Sequence, residues 1–189
     1  VVVRPSDVDQ VLRWMQGSAV GVASTVGYPD GSSATAVKLY EGRDLLRRGV
    51  KEMEMVINVG KMISRQFQYV EMEILQMAES CRESGAVLKV ILRNNLLTDD
   101  LKIIALKICK RAEVPFLSLV YSPEDLALLK PLLKDRIQIK AGFGVETLTQ
   151  VLELRQAGCM RIGASAPFIL LDEWKARLAQ AAAGAANPA

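Results

Sequence analysis

The stretch VPFLSLVYSPEDLALL, residues 114–129, joins two patterns that together indicate the fold class. Residues 115–121 form an apolar run of strand length, and from Pro123 onward the apolar residues recur at helical spacing. The segment Ser122-Pro123-Glu124-Asp125 is typical of a helix start, since proline fits the first turn and acids favour the positive end of the helix dipole. The stretch is therefore predicted to be a buried strand that runs directly into a helix.

The same strand-then-helix pattern recurs along the 189-residue chain. Strands are predicted at residues 1–3, 19–25, 52–58, 87–92, 115–121, 137–142 and 160–165. Strands that are apolar on both faces need cover on both sides, which predicts a parallel sheet with its helices outside. Periodicity alone does not separate a doubly wound sheet from a barrel. Seven units, with a start that reads as the inside of a strand, favour an α/β TIM (β/α)8-type barrel whose first strand is missing from this chain.

The predicted domain organisation is simple. Residues 1–180 are expected to form one barrel domain, N-terminally incomplete, and residues 181–189 an alanine-rich, low-complexity tail. Charged residues interrupt every apolar run before it reaches bilayer length, so membrane insertion is not expected.

Composition excludes several classes of function. The chain has no histidine, which removes imidazole acid–base chemistry and Ser-His or Cys-His catalysis. A net charge of +3 with scattered basic residues, and 5% aromatic content, argue against nucleic-acid binding. Three widely spaced cysteines favour neither a disulfide framework nor a zinc site, which fits an intracellular, reducing compartment such as cytoplasm or an organelle matrix. No metal or other cofactor is expected.

Two charged residues inside the predicted strands are candidate catalytic groups, since barrels carry their sites at the C-terminal ends of their strands. Lys140 lies near the end of its strand, where a barrel interior would lower its pKa and make it an amine nucleophile or acid. The alternative is a structural lysine paired with an interior acid. Glu54 lies mid-strand and is predicted to serve as a base or as the partner of Lys140, with a solvent-facing position as the alternative.

Two glycine-containing strand ends, residues 141–148 and 163–170, could offer backbone N–H groups to a phosphate. Glycine is common at such turns, so a purely structural turn is the alternative. Phe143 and Glu146 argue against an anion at the first of them, because one blocks close backbone approach and the other is negatively charged.

The order of motifs resembles that of the deoxyribose-phosphate aldolase family, class I Schiff-base aldolases on a TIM barrel. The resemblance is colinear from residue 1 to about residue 175, and its most specific block is ASTVGYPDGSSATAVKLYEGRDLLRRG at residues 23–49. The other blocks that resemble family motifs are VVVRPSDV, KEMEMVINVGKM, LKVILRNNLLTDD and RIGASA.

The resemblance implies a site that has lost its central group. Ser118 stands where the family has its Schiff-base lysine, and serine cannot form an imine. Glu54 stands at the family's interior aspartate and Lys140 at its second lysine. The family's phosphate loop is degenerate here, with Gly144, Gly163 and Ser165 as its remaining positions.

The resulting prediction is a catalytically inactive aldolase-like protein, retained as a structural or interaction subunit. The alternative is an aldolase-type lyase that uses Lys140 and Glu54 on a different small carbonyl compound. A third possibility is a sensor that binds a neutral or cationic metabolite beside Glu54 and Glu146. A protein partner or a homo-oligomer is expected because seven strands leave two unpaired sheet edges, and a small sugar phosphate is a ligand only under the lyase alternative.

Overall fold

The computed structural model describes residues 1–133 and 137–185, and it confirms the predicted fold class. Seven strands form one parallel sheet in the order β1 to β7. The strands are β1 (Val2–Val3), β2 (Ala23–Val26), β3 (Glu52–Val56), β4 (Val87–Ile91), β5 (Phe116–Val120), β6 (Gln138–Val145) and β7 (Arg161–Ala164). The helices are α1 (Val8–Trp14), α2 (Thr35–Arg47), α3 (Val59–Ile63), α4 (Phe67–Glu83), α5 (Asp99–Arg111), α6 (Pro123–Leu133), α7 (Leu148–Gln156) and α8 (Pro167–Ala185).

The strand order identifies the barrel rather than the doubly wound alternative. Every strand pairs in parallel with its predecessor in sequence, so the sheet grows in one direction. A doubly wound sheet instead reverses its order at a switch point near its middle. Within the described residues the sheet is a curled barrel wall with two ends, β1 and β7.

Alternation along the strands separates an apolar outer layer from a polar interior. Met53 and Met55 of β3 are fully buried, and the sulfur of Met53 lies 3.2 Å from where a Cβ on Gly42 of α2 would stand. Met53 therefore points outward, between sheet and helices. Glu54, between the two methionines, must point into the barrel because successive strand residues face opposite sides.

A buried ion pair lies outside the barrel wall between α2 and α4. Lys38 Nζ donates to Glu73 Oε2 at 2.9 Å and to the carbonyl of Val56 at 2.9 Å, and Glu73 Oε1 accepts from the backbone N–H of Asn58 at 2.7 Å. Burial raises the pKa of Glu73, an effect that Lys38 opposes. The pair fixes the C-terminal end of β3 to both helices, which holds the loop that follows Glu54's strand.

The predicted helix start at Ser122 is confirmed. The hydroxyl of Ser122 accepts from the N–H of Asp125 at 3.1 Å, at the start of α6. At the start of α5, the hydroxyl of Thr98 donates to the side chain of Asp100 and does not accept from the helix backbone.

The two ends of the sheet carry exposed apolar side chains. On α8 they form a stripe at helical spacing, and others lie on β1, α1 and beside β7. The exposed residues are Val1, Val2, Trp14, Met160, Phe168, Ile169, Leu171, Trp174 and Leu178. Among the strands described, β1 and β7 pair on one side only, and exposed apolar groups beside such edges are a setting for further protein contacts.

The predicted tail begins as helix, since α8 continues to Ala185. Residues 186–189 lie outside the described part of the chain, and the domain boundary at residue 180 stays a prediction. No helix in the described ranges has the length and apolar character needed to cross a membrane.

Candidate functional site

Glu54 and Lys140 meet inside the barrel, as the sequence predicts. Lys140 Nζ donates to Glu54 Oε1, although the two residues lie on β6 and β3. Lys89 of β4 donates to the same oxygen at 3.1 Å and lies 2.5 Å from Glu52 Oε2. Glu54, Lys89 and Lys140 each expose less than a tenth of the side chain. The interior therefore holds one carboxylate between two ammonium groups.

The ion pairs continue toward the N-terminal ends of the strands. Glu52 Oε1 lies 2.7 Å from Nη2 of Arg161 on β7, and the Arg161 guanidinium lies 5.1 Å from the centre of the Phe116 ring. Burial acts to raise the pKa of Glu52, but the hydrogen bond and charge of Lys89, with the charge of Arg161, bring it below its ordinary value. Charges alternate along this row, from Arg161 through Glu52, Lys89 and Glu54 to Lys140.

Burial lowers the pKa of Lys140, although Glu54 acts in the opposite direction. The ammonium form loses its hydration inside the barrel, and the nearby charge of Lys89 disfavours it further. A lowered lysine pKa increases the fraction of free amine, which is the nucleophilic form.

The lowered pKa of Lys140 predicts a specific dependence of stability on pH. The unfolded chain, in which this lysine has its ordinary pKa of 10.5, binds more protons than the folded protein between the lowered value and 10.5. The contribution of Lys140 to the free energy of unfolding should therefore rise with pH across that window. Urea unfolding of the wild type and of Lys140→Met at neutral and alkaline pH measures this. The free energy of unfolding of the wild type minus that of Lys140→Met should rise with pH. If this difference falls or stays constant, the pKa of Lys140 is not lowered in the folded protein.

Ser118 faces the same interior and stands directly opposite Lys140 in the pairing of β5 with β6. It is fully buried, and its hydroxyl has no hydrogen-bond partner among the described residues. A Cβ on Gly142 would come within 2.6 Å of the Ser118 oxygen, so Gly142 provides the room that this side chain occupies. A buried hydroxyl without a partner is costly, which marks Ser118 as unusual for a purely structural residue.

The three predicted phosphate-loop residues differ in their exposure and in their surroundings. Gly163 backs the interior, because a Cβ there would lie 2.8 Å from the carbonyl oxygen of Gly142 and 3.5 Å from Cε of Lys140. Gly144 is exposed with φ +81°, a backbone conformation that favours glycine. Ser165 is exposed at the turn from β7 to α8. Their assignment as phosphate-binding positions stays a prediction.

Two aromatic rings bridge the C-terminal mouth of the barrel above Lys140. Tyr28, on the loop after β2, stacks on Phe143 near the end of β6, with 6.2 Å between the ring centres and 28° between their planes. β2 and β6 are separated in the sheet by three strands, so this contact spans the mouth. Both rings therefore lie at the C-terminal end of the barrel, the end toward which β6 runs beyond Lys140.

A separate polar cleft of about 370 Å³ lies between the N-terminal ends of α5 and α6. Asn94 is buried there and donates to the Val120 carbonyl at 3.1 Å and to Asp125 at 2.5 Å. Lys102 donates to Asp125 at 2.6 Å and to Asp99 at 2.9 Å. These groups satisfy one another, so the network fastens the loops after β4 and β5 in place.

Three members of the interior cluster were not singled out from the sequence: Lys89, Glu52 and Arg161. Lys89 carries the signal that identified Glu54 and Lys140, a charged residue inside a strand that is apolar on both faces. Glu52 and Arg161 begin their strands, where a charged residue usually faces solvent. Within the described ranges no group of histidine, cysteine and acidic side chains is arranged to hold a metal ion.

The known proteins that match this chain in sequence and in structure include several deoxyribose-phosphate aldolases. No protein-family model matches the chain. The deoxyribose-phosphate aldolase of Trichormus variabilis is 37% identical over 175 residues, which cover 89% of this chain and 76% of the relative. The deoxyribose-phosphate aldolase of Clostridium perfringens (strain SM101) is 31% identical over 179 residues, covering 91% and 80%. The structure of the tetrameric deoxyribose phosphate aldolase from Aeropyrum pernix superposes with a TM-score of 0.82 at 25% identity, covering 92% of this chain and 76% of that one.

Proposed function

The chain belongs to the deoxyribose-phosphate aldolase family, and on that premise we propose that it has lost the family's imine chemistry and serves as a structural or interaction subunit. The observation that carries the proposal is Ser118, at the strand position where the resemblance places the Schiff-base lysine. It stands opposite Lys140 in the register of the neighbouring strand. A hydroxyl there cannot form the imine that makes the carbon–carbon bond labile.

The surroundings of Lys140, which stands at the position of the family's second lysine, support the same proposal. In the family this lysine lowers the pKa of the imine lysine beside it, whereas here it faces a neutral hydroxyl. Lys140 instead donates to Glu54, and as the ammonium of that ion pair it has no lone pair with which to attack a carbonyl carbon. Glu54 is also one methylene longer than the family's aspartate. A displacement of roughly an ångström in a catalytic carboxylate is enough to cost a large factor in rate.

The proposal predicts that the protein does not release acetaldehyde from deoxyribose 5-phosphate. Reduction of acetaldehyde by NADH and alcohol dehydrogenase reports turnover continuously, with the Trichormus variabilis aldolase as positive control. We expect a rate equal to that without protein. A rate above that background, abolished in Lys140→Met, would overturn the proposal.

The proposed role as an interaction subunit is supported by the exposed apolar side chains at the two ends of the sheet. In the described part of the chain, the stripe on α8 and the exposed valines of β1 flank β7 and β1, the two strands that pair on one side only. The Aeropyrum pernix relative is tetrameric, and a homo-oligomer through such a surface is the simplest assembly for this chain.

We expect this surface to show in solution as concentration-dependent self-association. Sedimentation velocity of the wild type over a range of concentrations should give species larger than a monomer. The double variant Phe168→Ser/Leu171→Ser should shift the distribution toward monomer, whereas Tyr40→Ser, an exposed aromatic on α2, should not. A wild type that stays monomeric and melts cooperatively would contradict the expectation.

A second candidate function, an aldolase-type lyase acting through Lys140, is favoured by one observation. The pKa of Lys140 is lowered by burial, and Glu54 stands beside it as a base. This candidate predicts that some small aldehyde or ketone forms a reducible imine at Lys140, with a pH profile lost in Lys140→Ala. If that mutation changes no turnover, the candidate is removed.

A further inference from the structure

Arg93, which follows the C-terminal end of β4, has a donor that the protein leaves unpaired. Its Nε is buried and has no hydrogen-bond partner, and in the described part of the chain the only other such side-chain atom is the hydroxyl of Ser118. The residue as a whole is half-buried, so part of it reaches the surface. A buried donor without an acceptor costs free energy, and nearly all such groups in native proteins are paired. The unpaired Nε therefore points to a partner that the chain itself does not supply.

The backbone of Arg93 is also in an unusual conformation. Its φ of +51° and ψ of +48° lie in the left-handed region, which favours glycine. The two other described non-glycine residues with positive φ, Arg65 and Glu113, each follow the last turn of a helix, where this conformation is an ordinary ending. Arg93 instead follows a strand. Such residues cluster at binding and catalytic sites, where the surrounding structure holds them in place.

The two neighbours of Arg93 hold it in this conformation. The N–H of Leu92 donates to the carbonyl of Ser118 at 3.1 Å. The side chain of Asn94 accepts from the N–H of Val120 at 2.8 Å and donates to the carbonyl of the same residue at 3.1 Å. Because both neighbours are fixed to β5, Arg93 is presented from a rigid backbone at the C-terminal face of the barrel wall, where barrel proteins carry their sites.

Asp30 is the carboxylate on which the charge of Arg93 acts. Its loop lies against the neighbouring strand end, since a Cβ on Gly31 would stand 1.9 Å from the carbonyl oxygen of Ile57, whose N–H donates to β4. Hydrogen bonds from Ser32 lower the pKa of Asp30, and Arg93 lowers it further through its charge, without a hydrogen bond between the two. The guanidinium thus lies near a carboxylate that leaves its donors available.

We propose that Arg93 binds an oxyanion, the carboxylate or phosphate group of a small molecule, at this face of the barrel wall. The guanidinium edge that carries Nε and one Nη matches two oxygens of such a group, which a lysine ammonium does not. On binding, the side chain turns toward the surface and Nε gains the acceptor that the chain does not supply. Asp30 lowers the affinity, because its negative charge repels the anion.

This site is separate from the groups already described. It uses neither Lys140 nor Ser118, so it does not depend on the proposed loss of imine chemistry. It is also distinct from the three predicted phosphate-loop residues, which lie on β6, on β7 and at the turn after β7.

The signals of arginine Nε–H groups in proton–nitrogen correlation spectra test the site directly. The Arg93 signal is assigned by its loss in Arg93→Gln and, independently, in Arg93→Lys. Sodium phosphate, sodium acetate and sodium chloride are titrated at equal ionic strength and slightly acidic pH. We expect a saturable downfield shift of the Arg93 signal with phosphate or acetate, because an oxyanion completes its hydrogen bond, and no saturable shift with chloride. The anion that saturates at the lower concentration identifies the ligand as a phosphate or a carboxylate.

Two matched variants show whether the site is specific. Arg65→Gln removes the other left-handed arginine of the described residues, which already has Asp100 as its partner at 3.1 Å, and should change the half-saturating concentration by less than about twofold. Asp30→Asn removes a negative charge at nearly constant shape and should lower that concentration by roughly two- to fivefold. An Arg93 signal that moves saturably with neither anion, or an Arg65 signal that moves as far, would overturn the proposal.

Discussion

Ser118→Lys is expected to give the protein an amine that forms a reducible imine with acetaldehyde. The new lysine would lie in the barrel interior opposite Lys140, where burial and a neighbouring ammonium both lower its pKa. Each unit of lower pKa raises the free-amine fraction at neutral pH about tenfold. Residue 118 should therefore be labelled at least about tenfold faster than the exposed Lys107.

The measurement is peptide mapping after brief exposure to acetaldehyde and borohydride. Ser118→Met is the matched control, since it adds a side chain of similar length without an amine. Acetaldehyde is used because it carries no phosphate, so that it tests the chemistry of residue 118 independently of phosphate binding. If Ser118→Lys is folded and its residue 118 is labelled no faster than surface lysines, Ser118 does not stand at an imine-forming position.

Glu54→Gln is expected to cause the second large effect, a loss of about 3–5 kcal/mol in the free energy of unfolding. The substitution keeps the size of the side chain but leaves Lys140 without the carboxylate to which it donates, and leaves Lys89 with Glu52 alone. A buried ammonium without a counter-charge must lose its proton or remain poorly solvated. Urea denaturation at neutral pH measures the loss.

Two further variants show whether the pair accounts for that loss. Glu54→Leu combined with Lys140→Met should cost less than the sum of the single substitutions, because removing both charges leaves neither unpaired. Glu52→Gln should cost less than Glu54→Gln, since the Glu52 side chain is 22% exposed and water can replace part of its contacts. Equal losses in the free energy of unfolding for Glu54→Gln and Glu52→Gln would contradict the central role of Glu54 in the buried ion cluster.

The parts of the site that sequence reasoning finds are those that break a local pattern. Glu54 and Lys140 are charged residues within apolar strands, so their place in the interior and their mutual contact could be predicted before the structure was known. Ser118 breaks no such pattern by itself. It becomes informative only when neighbouring motifs identify the residue that the family has at its position.

The remaining features depend on how the sheet curls. The contact of Tyr28 with Phe143 joins the loop after β2 to the end of β6, across the mouth, and no periodic pattern along the chain records that distance. The pairing of Glu52 with Arg161 likewise crosses the barrel at its lower end. The sequence instead indicated Phe143 as an obstacle to phosphate, and the structure adds the ring on which it stacks.

The most direct test of the lost imine chemistry is the intact mass of the protein after incubation with deoxyribose 5-phosphate and borohydride. Wild type and Lys140→Met are compared, so that an adduct at Lys140 is distinguished from one on another lysine. The account predicts an unchanged mass for both proteins, because the position opposite Lys140 carries a hydroxyl. A stoichiometric adduct that maps to Lys140 or Lys89 in either protein would contradict it.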